Sequence, residues 1–218
     1  MASVGDDRDP TPGGDDMSAL PVEEEPIEAA PSSRVWPVPP PEGWTADDLD
    51  RIPDLPPHTE LIDGSLVFVS PQLEFHELLM SVLQVGLRTN CPSDLRVRRE
   101  MGITITEKNR PEPDVAVIDA EAVGEEKSSY PPDAVRLAVE VVSKESQERD
   151  RKRKPLLYAE AGIPHFWRVE KVNGEPVVYV YELDPATEQY ALTGIHRERL
   201  KLTVPFDIDI DLTEVHRI

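Results

Sequence analysis

Apolar residues along this chain recur in three rhythms, and each rhythm predicts a different kind of element. Between positions 73 and 88, Phe75, Leu78, Leu79, Val82, Leu83 and Leu87 fall three and four apart. That spacing puts apolar side chains on one side of an α-helix, so an amphipathic helix is predicted from Leu73 to Arg88, with His76 inside it. The second rhythm is the continuous run rich in β-branched residues. Asp114–Ile118 and Val135–Val142 read as strands buried on both faces, and Leu95–Arg99, Gly102–Thr106, His165–Glu170 and Val177–Leu183 as further strands. The third is an apolar stretch split by turn residues. Asp63-Gly64 divides Glu60–Val69 into the arms of a β-hairpin, and Asn173-Gly174 marks another turn. A second helix is expected from about Arg151 to Ala161, stopped by Gly162 with Pro164 just beyond. Residues 202–212 read as short strands or a covering tail.

These rhythms are missing from residues 1–43, which are rich in Asp, Glu, Pro, Gly and Ser. Such a segment cannot bury enough surface to offset its ordering entropy, so an acidic, Pro-rich disordered tail is expected, with Val35-Trp36 as a spot able to dock on the domain or a partner. Order should begin near Trp44, where Thr45 caps a short helix reaching about Arg51. Pro53, Pro56 and Pro57 then impose an extended linker. Residues 44–218 form the predicted domain. Its fold class is α/β on the border of α+β: a mixed sheet, two principal helices and extra hairpins.

The 218 residues are 39% hydrophobic and carry a formal net charge of -20. That balance excludes broad nonspecific adhesion to nucleic acid or anionic membranes, so contact with nucleic acid requires a local basic patch. Arg96, Arg98 and Arg99 share one predicted strand, and Arg149, Arg151, Lys152 and Arg153 flank Lys154. These groups read equally well as a phosphate-facing patch or as an ion-paired surface. The single cysteine, Cys91, allows no intrachain disulfide and fits a reducing compartment. No apolar stretch approaches the ~20 residues that span a bilayer, and no basic segment precedes an apolar one at the N-terminus. A cytoplasmic protein without membrane contact is expected.

Charge inside the apolar runs carries the candidate chemistry. Asp114 opens one core strand and Glu140 sits within another, flanked by Val139, Val141 and Val142. A lone buried carboxylate is costly, so each needs a partner or a metal. Two such acids on neighbouring strands can converge on one divalent cation, with a lysine nearby to orient water and offset developing charge. Bland readings stand beside these. Asp114 can be a strand-opening turn residue, Glu140 half of a core salt bridge with Arg168 or Arg136, and His76 an ordinary helix-surface histidine. Lys154 can belong to a solvated helix entrance, and Pro155 beside it bears on where that helix begins. Tyr158 and Trp167 read as core packing. His58, His165, His196 and His216 have no zinc-ligand spacing.

Asp114, followed 26 positions later by Glu140 on a strand, resembles the PD-(D/E)XK nuclease superfamily. The simple form of that motif places lysine two residues after the second acid, where this chain has Val142. The wider pattern resembles the Uma-two family of restriction-endonuclease-like proteins, in which the lysine sits on the following helix. Glu140-Val141-Val142-Ser143, Asp150, Lys154, Tyr158, Gly162-Ile163-Pro164 and Phe166-Trp167 carry this likeness, with Glu60-Leu61-Ile62-Asp63-Gly64, His76 and Pro113-Asp114 upstream. It extends from about Trp44 to Leu212.

The resemblance implies a restriction-endonuclease-like sheet and hydrolysis of DNA phosphodiester bonds by metal-activated water, with Mg2+ or alternatively Mn2+. Asp114, Glu140 and the carbonyl of Val141 would be the metal ligands, Lys154 the catalytic lysine, and Glu60 an acid that orients Lys154 or reaches a second ion. His76 would support the site from its helix. Double-strand cleavage with one site per chain would suggest a two-fold dimer. Fold does not guarantee activity, so a non-catalytic binding or regulatory protein on the same fold is the alternative. A partner-binding module whose acidic tail mimics nucleic acid is a third.

Overall fold

In the computed structural model, which describes Met1 and residues 38–69 and 71–218, the two longest apolar runs lie side by side at the centre of a sheet. The expected tail, with Val35-Trp36, lies almost wholly outside the described residues. A turn in which the Gly43 N–H donates to the Pro40 carbonyl at 2.8 Å leads into helix α1, Ala46–Leu49. Thr45 and Asp48 form its capping box, Asp48 Oδ2 accepting from the Thr45 N–H at 2.8 Å. Strands β1 (Glu60–Ile62) and β2 (Ser65–Val67) then pair antiparallel around Asp63-Gly64. Both turn residues have positive φ, 50° and 74°, as a tight hairpin requires.

The predicted amphipathic helix is α2, Glu74–Thr89. It leads to β3 (Leu95–Arg99), the two-residue β4 (Gly102–Ile103), β5 (Val115–Asp119), the two-residue β6 (Ser129–Tyr130) and β7 (Val135–Val141). A π-helical segment, Arg149–Arg153, runs straight into α3, Lys154–Glu160. Strands β8 (His165–Val172), β9 (Glu175–Asp184), β10 (Gln189–His196), β11 (Arg199–Leu202) and β12 (Ile208–Asp211) complete the order. All of these elements belong to one unit, residues 37–218. Among the described residues, no helix is long and apolar enough to cross a membrane.

The main sheet has the order β10-β9-β8-β7-β5-β3. Its pairs are antiparallel except β7 and β8, which run parallel and are therefore joined by a crossover that includes α3. Alternation along β7 separates two environments. Leu137, Val139 and Val141 face the layer of α2, where they pack with Leu79, Leu83, Leu87, Val115, Val117 and Trp167. Ala138 belongs to the opposite layer, with Ala116, Ile118, Tyr158, Ile163 and Phe166, and Glu140 follows it on that side. The hairpin of β11 and β12 covers α2 from outside through Leu200, Ile208 and Ile210. Gly86 permits that approach, since a Cβ there would meet the Ile210 side chain at 2.6 Å.

Two expectations are revised and one element is new. The strand foreseen over Gly102–Thr106 stops at Ile103, because Ile105 and Thr106 turn back onto Asn109, the Ile105 N–H donating to the Asn109 carbonyl at 2.9 Å. The helix foreseen from Arg151 begins earlier: Gln147 and Glu148 are already helical, Arg149–Arg153 is π-type, and the α-helical stretch from Lys154 carries Pro155 in its first turn, where proline is tolerated. Strand β10 was not foreseen at all.

Candidate active site

Four places in the chain bring acids together around one lysine: the start of β1, the residue before β5, the end of the central strand β7 and the π-helical segment. Glu60 begins β1 and is buried; its Oε1 accepts the Glu112 N–H at 2.8 Å and lies 2.7 Å from Lys154 Nζ. Asp114 immediately precedes β5. Its Oδ2 accepts the Val141 N–H at 2.6 Å and its Oδ1 pairs with His76 Nε2 at 3.0 Å. The carboxylate thus ties the start of β5 to the end of β7, and α2 steadies it through His76. The other ring nitrogen of His76, Nδ1, is buried with no hydrogen-bond partner among the described residues, so the ring meets the site through Nε2 alone.

Glu140 is 1% exposed and settles the question of its partner. Tyr158 OH donates to Oε1 at 2.6 Å and Lys154 Nζ donates to Oε2 at 2.9 Å. Neither arginine considered from sequence reaches it. Arg136 binds Asp119, and Arg168 pairs with Glu170 at 2.8 Å while its guanidinium lies 4.7 Å from the Tyr179 ring centre. Lys154 is therefore not part of a solvated entrance. It is buried, and besides Glu60 and Glu140 it lies 3.5 Å from Asp150 Oδ1.

The helix makes this possible by spacing. Asp150, Lys154 and Tyr158 are four apart and share the face turned to Glu140. Their neighbours in the charged run go elsewhere. Arg151 binds Glu170 at 2.5 Å, Lys152 binds Glu148 at 2.8 Å, and Arg153 binds Asp63 at 2.5 Å. Arg149 turns toward Glu60, its Nε 3.9 Å from Oε2. On β3, Arg99 pairs with Glu77 and Glu100, while Arg96 and Arg98 donate to nearby backbone carbonyls. Most of the basic cluster is thus ion-paired surface.

Electrostatics in the cluster follow from four acids around few cations. Burial would depress the Lys154 ammonium, yet Glu140, Glu60, Asp150 and Asp114 together raise it well above the ordinary lysine value. Lys154 accordingly stays charged. Burial pushes the Glu140 carboxyl well up; Lys154 opposes this, while Asp150, Asp114 and Glu60 add to it. Burial raises Asp150 in the same way. Tyr158 is also raised, first by burial and then by Glu140, so its hydroxyl is a permanent donor.

Glu60, His76, Asp114, Glu140, Val141 and Lys154 all line one cleft of about 490 Å³. The structure thus brings together every residue singled out from sequence. It adds Asp150 and Arg149, and it gives Tyr158 a polar task beyond core packing. The four-residue spacing of Asp150, Lys154 and Tyr158 was a readable signal for the first and third; nothing in the sequence separated Arg149 from its charged neighbours.

Comparison with curated protein sequences finds no match. Among solved structures, a crystal structure of a putative nuclease belonging to DUF820 from Anabaena variabilis is similar, with a TM-score of 0.52 at 17% identity, covering 74% of this chain and 89% of that one. At this identity the likeness concerns the fold alone. NucC of P. aeruginosa in its cAAA-bound form aligns with a TM-score of 0.30 at 12% identity, over 57% of this chain and 85% of that one, too weakly to bear on the argument. The family model Uma2, described as putative restriction endonuclease, matches residues 46–213. That span holds every residue of the cleft described above, and the chain belongs to the Uma2 family.

Proposed function

We propose that the protein is a divalent-metal-dependent endonuclease that hydrolyses phosphodiester bonds in DNA. The observation that carries this reading is the convergence on one buried lysine: Lys154 Nζ lies 2.7 Å from Glu60 and 2.9 Å from Glu140, while Asp114 is held to the amide of Val141 next in sequence to Glu140. The donor set is all oxygen, which suits Mg2+ or Mn2+. Among the described residues, no group of three or more His, Cys, Asp or Glu side chains stands ready to hold a metal alone. Asp114, Glu140 and the Val141 carbonyl would therefore hold the ion together with waters, as Mg2+ normally retains several. The charge balance supports the fit, since Glu60, Asp114, Glu140 and Asp150 outnumber the cations facing them.

A bound ion would polarise the phosphoryl oxygen and lower the pKa of a coordinated water. The chain's own residues do the rest. Lys154, kept protonated by its acids, orients the attacking water and offsets negative charge on the phosphoryl oxygens. It does not accept the proton, which passes to solvent water in the cleft, and the leaving oxygen takes one from solvent in return. Glu60 and Asp150 hold the ammonium in place. Tyr158 fixes the rotamer of Glu140, and His76 and the Val141 amide fix that of Asp114. Removing a charged donor of the Lys154 kind costs about 100- to 1,000-fold in kcat.

Glu140 already accepts at both oxygens, and this favours a second reading in which the network is structural and the protein binds without cutting. Supercoiled, linear and single-stranded DNA incubated with Mg2+ or Mn2+ beside Glu140→Gln and Lys154→Met separates the two. Cleavage by the wild type that both folded variants lose is the expected result. Identical traces for all three proteins would sink the nuclease reading.

A further inference from the structure

Arg149 stands apart from the other cations at the cleft. Arg151 is bound to Glu170, Lys154 to three acids, and Lys171 lies with its ammonium 4.1 Å from the Phe75 ring centre. Lys144 is exposed. The Arg149 side chain is only 27% exposed, yet among the described residues its guanidinium donates no hydrogen bond, and its Nε is buried without an acceptor. Among the described residues its ion-pair neighbour is Glu60, whose Oε2 is 3.9 Å away, beyond hydrogen-bonding reach, because Lys154 and the Glu112 amide hold that carboxylate through its other oxygen, Oε1. A half-buried guanidinium with five donors normally finds acceptors, because unmet donors out of water are costly. A planar fork of this kind matches two oxygens of one phosphate.

We infer that Arg149 is a phosphate-binding residue of the cleft, its terminal guanidinium nitrogens taking non-bridging oxygens of a phosphodiester beside the Lys154 cluster. The assignment deepens the nuclease reading and rests on it for the identity of the substrate. The terminal nitrogens, which unlike Nε are not buried, would be met by the substrate. The geometry also explains how a cleft lined by many acids can hold an anion: one arginine, positioned by the first turn of the π-helical segment and kept off Glu60 by distance, remains available there. Glu60 orients Arg149 by charge without consuming its donors.

The test compares wild type, Arg149→Gln, Arg149→Lys and Arg151→Gln as full chains with matched melting temperatures. Plasmid nicking in Mg2+ and binding of a labelled DNA duplex in Ca2+ over a range of salt give rate and affinity. Arg149→Gln is expected to lower kcat/KM about 100-fold and to reduce the slope of log Kd against log salt by about one. Arg149→Lys should recover the salt slope but only part of the rate, since a point charge replaces a fork. Arg151→Gln should leave the slope unchanged. If the wild type nicks DNA and Arg149→Gln matches it in rate and slope, the assignment is wrong and the nuclease reading survives. A second arm does not depend on cleavage: titration of 15N-labelled protein with a thymidine dinucleotide should shift the Arg149 Nε–Hε resonance. A shift without any cleavage would overturn the nuclease reading and keep the phosphate site; no shift and no cleavage would overturn both.

Discussion

The two sides of β7 are built on opposite principles. Toward α2, Leu137, Val139 and Val141 meet an unbroken apolar layer; toward α3, the same strand presents Ala138 and then Glu140, locked by a lysine and a tyrosine. The first side is held by area and shape, and it tolerates a lost contact in proportion to the volume removed. The second is held by satisfied charge, where removing one member strands the others. At its Glu140 end a single strand thus sets an apolar layer against a charged cluster, while Ala138 keeps the rest of the α3 side apolar.

The sharpest way to break this contrast is Glu140→Ala. Its removal leaves the buried Tyr158 hydroxyl without its acceptor and Lys154 to Glu60 and Asp150 alone, which should cost about 3–5 kcal/mol in chemical denaturation and abolish cleavage. Glu140→Gln, which keeps the shape and an acceptor for Tyr158, should recover part of the stability and none of the activity. Equal stability of the Ala and Gln variants would show that the buried hydroxyl gains nothing from its acceptor. On the opposite side, Leu83→Ala should cost about 2–5 kcal/mol while the cleavage rate per folded molecule stays at the wild-type value; a comparable fall in rate would mean that the apolar layer also tunes the site. Tyr158→Phe removes one donor to a charged group and should cost about 1.5–3 kcal/mol, with a lower rate because Glu140 is free to turn.

The finest test is titration. Burial holds the Glu140 carboxyl above the ordinary glutamate range, and Asp150 adds to that. In the metal-free protein the Glu140 carboxyl, followed by its 13C shift, should therefore titrate above that range. Asp150→Asn removes one of the raising charges and should move that midpoint to lower pH; a midpoint that stays fixed would show that the two acids are not coupled. The stability linkage has the same sign for both groups, since a pKa raised on folding makes stability fall as pH rises. Lys154, raised by its acids, contributes fully below the unfolded lysine value of about 10.4 and loses that contribution only as pH climbs through its folded value.

Much of this was legible before any coordinates, for identifiable reasons. Helix α2 and strands β5 and β7 announce themselves because each buries a full stripe or both faces, so their apolar periodicity is strong. Glu140 and Asp114 stood out because charge inside such runs needs an explanation. Strand β10 escaped because it is an edge strand, half exposed, with a register shift between Leu192 and Gly194 that breaks the alternation. The destination of Lys154 was hidden by its surroundings: in a run of six charges from Arg149 to Lys154, only the π-type turn decides which faces β7 and which face solvent. Short-range composition cannot distinguish Lys152, bound to an exposed Glu148, from Lys154, buried among acids.

The stretch Pro111-Glu112-Pro113 has one further consequence. Proline carries no amide hydrogen, so the three residues offer a single N–H, and it is donated to Glu60 Oε1. That proton is a resident reporter. Its chemical shift and exchange rate read the charge on Glu60 from within one bond of the site, so ion uptake, substrate arrival and protonation can each be followed without attaching a label to the cleft.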